Sequence, residues 1–148
     1  MLIYRLNYAV DLRYGVVFEV AKSVFNEKPV DITTGYANVI WQGDANSYAI
    51  RSLLHCETPA KFLNNTGPEK VSIEWLANQF GALMNKPVQF TGSPEPTCLL
   101  NDASQSFDLF GKPKINLDQI IEWTAEWVAN GGEELGKPTH FQERKGNF

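Results

Sequence analysis

The stretch that decides the fold is the beginning of the chain, Leu2-Ile-Tyr-Arg-Leu-Asn-Tyr-Ala-Val10, followed by the turn Asp11-Leu-Arg-Tyr-Gly15. The first nine residues are rich in aliphatic and aromatic side chains and contain no glycine or proline, which predicts one buried strand. After the turn, apolar residues recur at helical spacing and stop before Pro29. This stripe of Val17, Val20, Ala21, Val24 and Phe25 predicts an amphipathic helix.

The remainder of the chain continues this alternation of extended and helical segments. Further strands are predicted over residues 30–32, 36–41, 62–66 and 88–91. Helices are predicted over residues 44–56, 72–84, 102–110 and 117–130. Asp44 and Ser72 stand where their side chains can accept the free N–H groups of a first helical turn. The sequence therefore predicts a mixed α/β (α+β) fold, with short, mostly parallel strands packed against about five helices.

Length and charge narrow the class of protein. The 148 residues are 43% hydrophobic and 20% charged, which is typical of one globular domain. The formal net charge of −4 argues against a general nucleic-acid binder. No apolar run approaches the ~20 residues that span a bilayer, and no signal peptide is recognised. Two cysteines, Cys56 and Cys98, suit a reducing compartment, so a cytoplasmic location is expected.

Motifs that carry chemistry by themselves are missing from the sequence. His55 and Cys56 are adjacent and would face different sides of a helix, and no CxxC or HxxxH spacing occurs. Neither a GxSxG elbow nor a GxGxxG or GxxxxGK[ST] phosphate turn is present. The sequence therefore predicts no metal site and no catalytic residue of its own.

Polar and aromatic side chains gather where the first two long strands are predicted to end. Ligands of open α/β folds bind at the carboxyl ends of strands, so these side chains are candidates for lining a site. The candidates are Asn7, Tyr8, Arg13, Tyr14, Trp41 and Gln42. A turn tied down by Asp11 and Arg13 is the alternative for the first group, and packing is the alternative for the tryptophans. Trp123 and Trp127 share a helix face, which predicts either packing, in the core or between subunits, or a platform for a ligand or partner.

Four segments, in this order, carry a resemblance to a known family. They are Arg5-Leu-Asn7-Tyr8 with Arg13-Tyr-Gly15, Val39-Ile-Trp-Gln-Gly-Asp-Ala45, Leu63-Asn-Asn-Thr-Gly-Pro68 with Val71-Ser-Ile73, and Phe107-Asp-Leu-Phe-Gly-Lys-Pro113 with the helix over 117–127. The chain resembles the C-terminal, substrate-binding portion of an extended short-chain dehydrogenase/reductase of the NAD-dependent epimerase/dehydratase family. The resemblance covers residues 1–132 and leaves residues 133–148 as a tail outside the family pattern.

The resemblance implies an enzyme made of two parts, of which this chain is one. Members of the family bind NAD(P) in an N-terminal Rossmann half with a Gly-rich turn and a Tyr-x-x-x-Lys pair, and this sequence has neither. The chain would then be the substrate-binding portion of an epimerase, dehydratase or reductase acting on a sugar-like or other polar carbonyl or hydroxyl substrate, incomplete as a catalyst alone. NAD or NADP would serve the complete enzyme, and neither is expected to bind this chain tightly by itself.

The resemblance also assigns roles to individual residues. Asn7 or Tyr8, together with Tyr14, would face the nicotinamide and the substrate, and Trp41 and Gln42 would line the substrate pocket. Cys98-Leu-Leu-Asn101 stands where nucleotide-sugar enzymes of the family often place an arginine. This departure weakens the expectation of a nucleoside-diphosphate sugar.

The predicted first strand also raises the question of partners. Parallel sheets are normally buried on both faces, and this sequence offers few strands to complete one. We therefore expect the missing Rossmann half, or a second copy of the chain, to cover that strand. The alternative function is accordingly a stand-alone binding or assembly module without catalysis.

Overall fold

A computed structural model describes residues 1–141 of the chain, and its elements alternate along the sequence. The five α-helices are α1 (Val16–Phe25), α2 (Gln42–Ser52), α3 (Ile73–Met84), α4 (Ser104–Phe110) and α5 (Leu117–Ala129). The eight strands are β1 (Leu2–Leu6), β2 (Ala9–Val10), β3 (Val30–Asp31), β4 (Tyr36–Ala37), β5 (Ile40–Trp41), β6 (Lys61–Asn65), β7 (Val71–Ser72) and β8 (Phe90–Thr91). Residues 142–148 of the predicted tail lie outside the described residues.

The strands form four separate pairs. β1 runs parallel to β6, with Leu2 opposite Lys61 and Leu6 opposite Asn65. β2 pairs with β5 and β3 with β8, both in parallel, whereas β4 and β7 are antiparallel. The predicted fold of short, mostly parallel strands with about five helices is therefore confirmed for the described residues.

The prediction of one continuous strand over residues 2–10 is wrong, because the chain changes partners in the middle of it. The backbone N–H of Asn7 still donates to the carbonyl of Asn65 on β6, at 3.0 Å. The next carbonyl, that of Tyr8, instead accepts the N–H of Ile40, the first residue of β5, at 3.2 Å. Tyr8 has a positive φ of 43°, an uncommon conformation for a tyrosine, and this conformation divides β1 from β2.

The predicted strand over residues 36–41 divides for the same reason. Its first part, β4, pairs antiparallel with β7, and its second part, β5, pairs parallel with β2. Asn38 and Val39 lie between them, both buried. The segment is apolar on both sides of the break, apart from Asn38, so its composition could not reveal the change of partner.

The core lies mainly between α1, α3 and α5. The predicted stripe of α1 is confirmed, since Val17, Val20, Ala21 and Val24 are each at most 1% exposed. The predicted inner face of α3 is confirmed as well, with Ile73, Leu76, Ala77 and Phe80 fully buried and Met84 packed against them. A second cluster joins α2, α4 and β6 through Ile40, Ala45, Tyr48, Leu63 and Phe110.

One of the two predicted helix caps is confirmed. Ser72 precedes α3, and its side-chain oxygen accepts the backbone N–H of Trp75 at 3.2 Å. Asp44 is not a cap, because α2 begins two residues earlier, at Gln42. Asp44 is buried in the first turn, where its Oδ2 accepts the N–H of Ile115 at 3.0 Å. It therefore ties α2 to the segment that leads into α5.

The prediction that the first strand is buried is also wrong for β1. Leu2 and Tyr4 pack against the second core cluster. On the opposite face of the β1–β6 pair, Ile3 is 37% and Phe62 is 49% exposed, and the Arg5 guanidinium lies 4.4 Å from the centre of the Phe62 ring. We call this side, defined by Ile3, Arg5 and Phe62, the open face. No helix of the described residues covers it.

Two tyrosines of the second cluster make the fold sensitive to alkaline pH. Tyr48 donates its hydroxyl to the carbonyl of Gly111 at 2.5 Å, and Tyr4 donates to the carbonyl of Ala45 at 2.8 Å. Burial raises the pKa of both phenols to about 12, and the neighbouring carboxylate of Asp44 also raises the pKa of Tyr48. Unfolded phenols ionise near pH 10, so the folded state loses its advantage as pH rises from about 10 towards 12.

We predict that the free energy of unfolding falls over this pH range and that Tyr48→Phe makes the fall shallower. Urea unfolding measured at several pH values between neutral and pH 12 tests this. Tyr36→Phe is the matched control, because Tyr36 is exposed and should leave the slope unchanged. An equal slope in the wild type and in Tyr48→Phe would contradict the prediction.

Candidate functional site

The candidate site lies between β1 and β2, at Asn7 and Tyr8, where the chain exchanges its pairing partner β6 for β5. We call these two residues the strand switch. β1 and β6 run parallel, so their carboxyl ends lie together at this switch, whereas β2 and β5 begin there and their own carboxyl ends lead to Tyr14 and Gln42. Backbone hydrogen bonds to Asn65 on one side and to Ile40 on the other fix its position. Side chains carried by the switch are therefore held at the kind of edge where open α/β folds bind ligands.

A cleft of about 340 Å³ opens beside the switch. Its polar groups are the phenols of Tyr8 and Tyr14, the amide of Gln42 and the hydroxyl of Thr139. Its remaining walls are Leu6, Ala9, Val10, Gly15 and Val16. We call it the phenol–amide cleft. None of these side chains carries a charge at neutral pH, so the cleft suits an uncharged polar group that both donates and accepts hydrogen bonds.

The turn after β2 places Tyr14 in this cleft. The backbone N–H of Asp11 donates to the Tyr14 carbonyl at 3.1 Å, and the N–H of Arg13 donates to Asp11 Oδ1 at 2.7 Å. Gly15 has a φ of 110°, and a Cβ atom there would lie 2.7 Å from a methyl carbon of Val10. Only glycine allows the chain to fold back this closely before α1 begins.

Arg13 lies outside the phenol–amide cleft. Its Nη2 is 3.4 Å from Asp11 Oδ2. This ion pair at the surface agrees with the alternative prediction, in which Asp11 and Arg13 stabilise the turn. Arg13 lines an adjoining cleft of about 240 Å³, which shares Tyr14, Gly15 and Thr139 with the first. Its guanidinium is therefore a neighbour of the candidate site and lies at its rim.

Asn7 belongs to a cluster of amides next to the switch. Its Nδ2 donates to Asn38 Oδ1 at 2.9 Å and to the carbonyl of Leu99 at 3.3 Å. Asn38, 7% exposed, donates in turn to the carbonyl of Asn101 at 2.7 Å. This amide cluster holds the loop before α4 against the strand switch, so the Asn7 side chain is engaged there and does not line the phenol–amide cleft.

Trp41 belongs neither to the phenol–amide cleft nor to the amide cluster. Its ring meets that of Trp123 edge-on, with centroids 5.7 Å apart and planes inclined by 72°. The neighbouring Gln42 does line the phenol–amide cleft, and its Nε2 also donates to Asn46 Oδ1 at 2.9 Å. Of the six predicted site residues, the structure thus brings Tyr8, Tyr14 and Gln42 together. Ligand binding by any of the six stays a prediction.

Sequence reasoning missed Thr139 and Asn38. Thr139 enters the cleft from the predicted tail, held by Glu19 of α1, which accepts its N–H at 2.9 Å and its hydroxyl at 2.5 Å. Nothing in the sequence signals this contact across 120 residues. Asn38 did leave a signal, since it is an amide between Ala37 and Val39 in an otherwise apolar segment.

One buried amide oxygen near the switch has no hydrogen-bond partner among the described residues. It is Oδ1 of Asn65, whose side chain is fully buried at the carboxyl end of β6. An unpaired buried acceptor is costly, on the order of 1–3 kcal/mol. The fold therefore leaves one polar atom unsatisfied next to the candidate site.

Residues 1–141 offer little to a metal or to a dinucleotide. They contain no group of three or more His, Cys, Asp or Glu side chains that could hold a metal ion. The turn before α1 contains a single glycine, Gly15, and an acidic residue, Asp11, so it does not fit the pyrophosphate of a dinucleotide.

No helix among residues 1–141 is long and apolar enough to cross a membrane.

Comparison with solved structures identifies the fold. The UDP-glucuronic acid 4-epimerase of Bacillus cereus, in complex with UDP-glucuronic acid and NAD, matches 87% of this chain with a TM-score of 0.67 and 17% identity. The UDP-glucose 4-epimerase of Thermus thermophilus, in complex with NAD, matches 88% with a TM-score of 0.66 and 15% identity. The dTDP-glucose 4,6-dehydratase of Bacillus anthracis, in complex with NAD, matches 88% with a TM-score of 0.66 and 14% identity.

These neighbours confirm, at the level of the fold, the predicted resemblance to extended short-chain dehydrogenases/reductases. The chain spans only 45%, 46% and 45% of their respective lengths, so it corresponds to less than half of each enzyme. No protein-family model and no curated protein sequence matches the chain. The shared feature is therefore a fold, recognised at low sequence identity.

The amide cluster generates a prediction about the loop before α4. We expect Asn38→Ala to lower the free energy of unfolding by about 2 kcal/mol, because it leaves the amide of Asn7 and the carbonyl of Asn101 without their partner. Amide hydrogen exchange at Leu99 and Asn101 should accelerate together with it.

Urea unfolding and hydrogen exchange of the same variant provide the measurement. Asn78→Ala is the matched control, since Asn78 is exposed on α3. Unchanged exchange at Leu99 and Asn101 in Asn38→Ala would show that the cluster does not hold the loop.

Proposed function

We propose that this chain is the C-terminal, substrate-binding portion of an NAD(P)-dependent epimerase, dehydratase or reductase. Its substrate would be sugar-like, or another polar molecule with a carbonyl or hydroxyl group at the reacting carbon. The observation that carries the proposal is the phenol–amide cleft, which lies at the carboxyl ends of parallel strands in a fold shared with sugar-nucleotide epimerases. Residues 1–132 form the substrate-binding domain in this proposal, and residues 133–148 form a tail.

The uncharged lining of the cleft favours recognition of hydroxyl groups. The phenols of Tyr8 and Tyr14 can each donate one hydrogen bond and accept others, and the amide of Gln42 can do both as well. An array of this kind orients a polyhydroxylated ring without attracting a charged group. Arg13, at the rim, is the nearest of the predicted site residues that could meet an anionic substituent on the same molecule.

In this proposal the redox cofactor belongs to the part of the enzyme that this chain does not contain. NAD or NADP, when bound there, supplies the hydride chemistry, because amino-acid side chains alone cannot. The described residues of this chain offer no pyrophosphate cradle, so its own contribution is to bind and orient the substrate. Tyr8, at the strand switch and in the cleft, is the residue proposed to meet both the nicotinamide and the substrate, whereas the side chain of Asn7 is engaged in the amide cluster beside it.

The open face of the β1–β6 pair supports this division of the enzyme. A parallel pair with one exposed face is unusual, because parallel sheets are covered by helices on both sides. Ile3 and Phe62 leave apolar surface uncovered there. Cover from the cofactor-binding half would bury these side chains and complete the sheet, in agreement with neighbours that are about twice as long as this chain.

Binding experiments with the isolated chain test the proposal. We expect methyl glucoside, as an uncharged probe of the sugar site, to shift the backbone ¹H–¹⁵N signals of Tyr8, Tyr14 and Gln42. Tyr14→Phe and Gln42→Ala should each weaken this binding roughly two- to tenfold, the range for one lost hydrogen bond. NAD⁺ and NADH, titrated by calorimetry, should show no micromolar affinity.

The control is Gln105→Ala, because Gln105 is exposed on α4 and lies outside the cleft. Signal shifts confined to other parts of the chain would place the sugar site elsewhere. Micromolar binding of NAD⁺ or NADH by the chain alone would overturn the claim that the cofactor belongs to the missing half.

The open face also favours a second candidate function, a self-associating binding or assembly module without catalysis. An uncovered parallel pair with an exposed edge invites pairing with another copy of the chain. In that case light scattering should show a defined oligomer, and Phe62→Lys should dissociate it because a second cation beside Arg5 would be buried unpaired. Phe90→Lys, on strand β8, is the matched control. A wild-type chain that is strictly monomeric at high concentration would exclude this candidate.

A further inference from the structure

A second cleft, of about 330 Å³, lies on α5 and takes no part in the proposed substrate site. Its walls are Leu12, Trp123, Trp127 and Gly132, and its polar groups are Glu126 and Asn130. We call it the indole cleft. It shares no lining residue with the phenol–amide cleft. A ligand could therefore occupy this cleft whether or not the phenol–amide cleft binds a sugar.

The two indole rings of this cleft are fixed before any ligand arrives. Trp127 donates its Nε1–H to the carbonyl of Glu133 at 3.0 Å. Gly132 lies directly against the same ring, where a Cβ atom would come within 2.3 Å of an indole carbon. Trp123 is supported by Trp41, whose ring meets it edge-on. Fixed rings lose little conformational freedom on binding, which favours recognition by their faces.

The indole rings also remain accessible. Trp123 is 37% exposed, and Trp127 is partly buried one helical turn away. Core packing alone, one of the two roles predicted for this pair, would leave no cleft between them and Leu12. The structure therefore keeps aromatic surface open beside a polar rim.

The charge of the rim indicates which ligand the cleft favours. Glu126 is the only charged side chain that lines it. Among the described residues, no lysine or arginine forms an ion pair with the Glu126 carboxylate, since the four ion pairs involve other acids. Indole faces attract cations through their negative electrostatic potential, and a carboxylate adds to this attraction. An anion would be repelled both by the indole faces and by the Glu126 carboxylate.

We propose that the indole cleft binds a small organic ammonium ion, such as a methylated amine, with its cationic head against Trp123 and Trp127. Glu126 lies between the two tryptophans in sequence and supplies the counter-charge at the rim. A methylated head suits the cleft better than a hydrated inorganic cation, because its methyl groups lose little hydration when they meet Leu12 and the indole rings.

Titration with tetramethylammonium chloride tests this proposal, with sodium chloride as the reference for ionic strength. The chain has four tryptophans, so its indole N–H signals can be followed individually by ¹H–¹⁵N NMR. We expect a saturable shift of the Trp123 and Trp127 signals with tetramethylammonium and none with sodium. Trp123→Ala should weaken binding by about fivefold or more, and Glu126→Gln by a smaller factor.

Trp75→Ala is the matched control, because Trp75 is exposed on α3 and lies outside the cleft. A dispersed spectrum shows that each variant is folded, and Glu126→Gln provides a second test should Trp123→Ala not fold. Unchanged affinity in both cleft variants, or no saturable shift in the wild type, would overturn the proposal. Saturable shifts of the Trp123 and Trp127 signals with methyl glucoside, and none with tetramethylammonium, would also overturn it and identify a sugar platform in this cleft.

Discussion

The partner exchange at Asn7 and Tyr8 is the constraint on which the rest of this structure depends. Asn7 is the last residue whose N–H pairs with β6, and Tyr8 is the first whose carbonyl pairs with β5. The positive φ of Tyr8 makes both pairings possible within two residues. Because the switch sets where β2 ends, it also sets where the turn places Tyr14 and where α1 begins. The phenol–amide cleft and the amide cluster are the two sides of this one feature.

The distribution of buried and exposed apolar side chains divides the structure into a closed part around α1 and an open part at the β1–β6 pair. α1 packs against α3 and α5, and the residues of its inner face are almost completely inaccessible. The β1–β6 pair, which belongs to the same domain, keeps Ile3 and Phe62 at the surface. Both candidate functions require another structural unit, either a cofactor-binding half or a second copy.

The aromatic residues are sorted by chemistry as well as by position. Tyr8 and Tyr14 line an uncharged cleft, where their hydroxyls can exchange hydrogen bonds with a polar molecule. Trp123 and Trp127 line a separate cleft beside a carboxylate, where their ring faces are available to a cation. Tyr4 and Tyr48 are buried instead, donate to backbone carbonyls, and have raised pKa values that keep them neutral. Similar residues thus serve binding or stability according to how much water reaches them.

Residues close together in the chain were enough to predict the class of fold, the buried faces of α1 and α3, and the resemblance to half of an epimerase-like enzyme. Periodicity and short motifs are properties of near neighbours, so they can be recognised without the structure. The sequence also selected Tyr8, Tyr14 and Gln42 among its candidates. Three features became clear only from the tertiary structure. The first strand is two strands, and Asp44 accepts the N–H of Ile115 and caps no helix. Trp41 packs against Trp123. The tertiary structure alone brought Thr139 into the cleft through Glu19. These features depend on contacts between residues far apart in the chain, and no local pattern records which distant partner a strand, carboxylate or indole will meet.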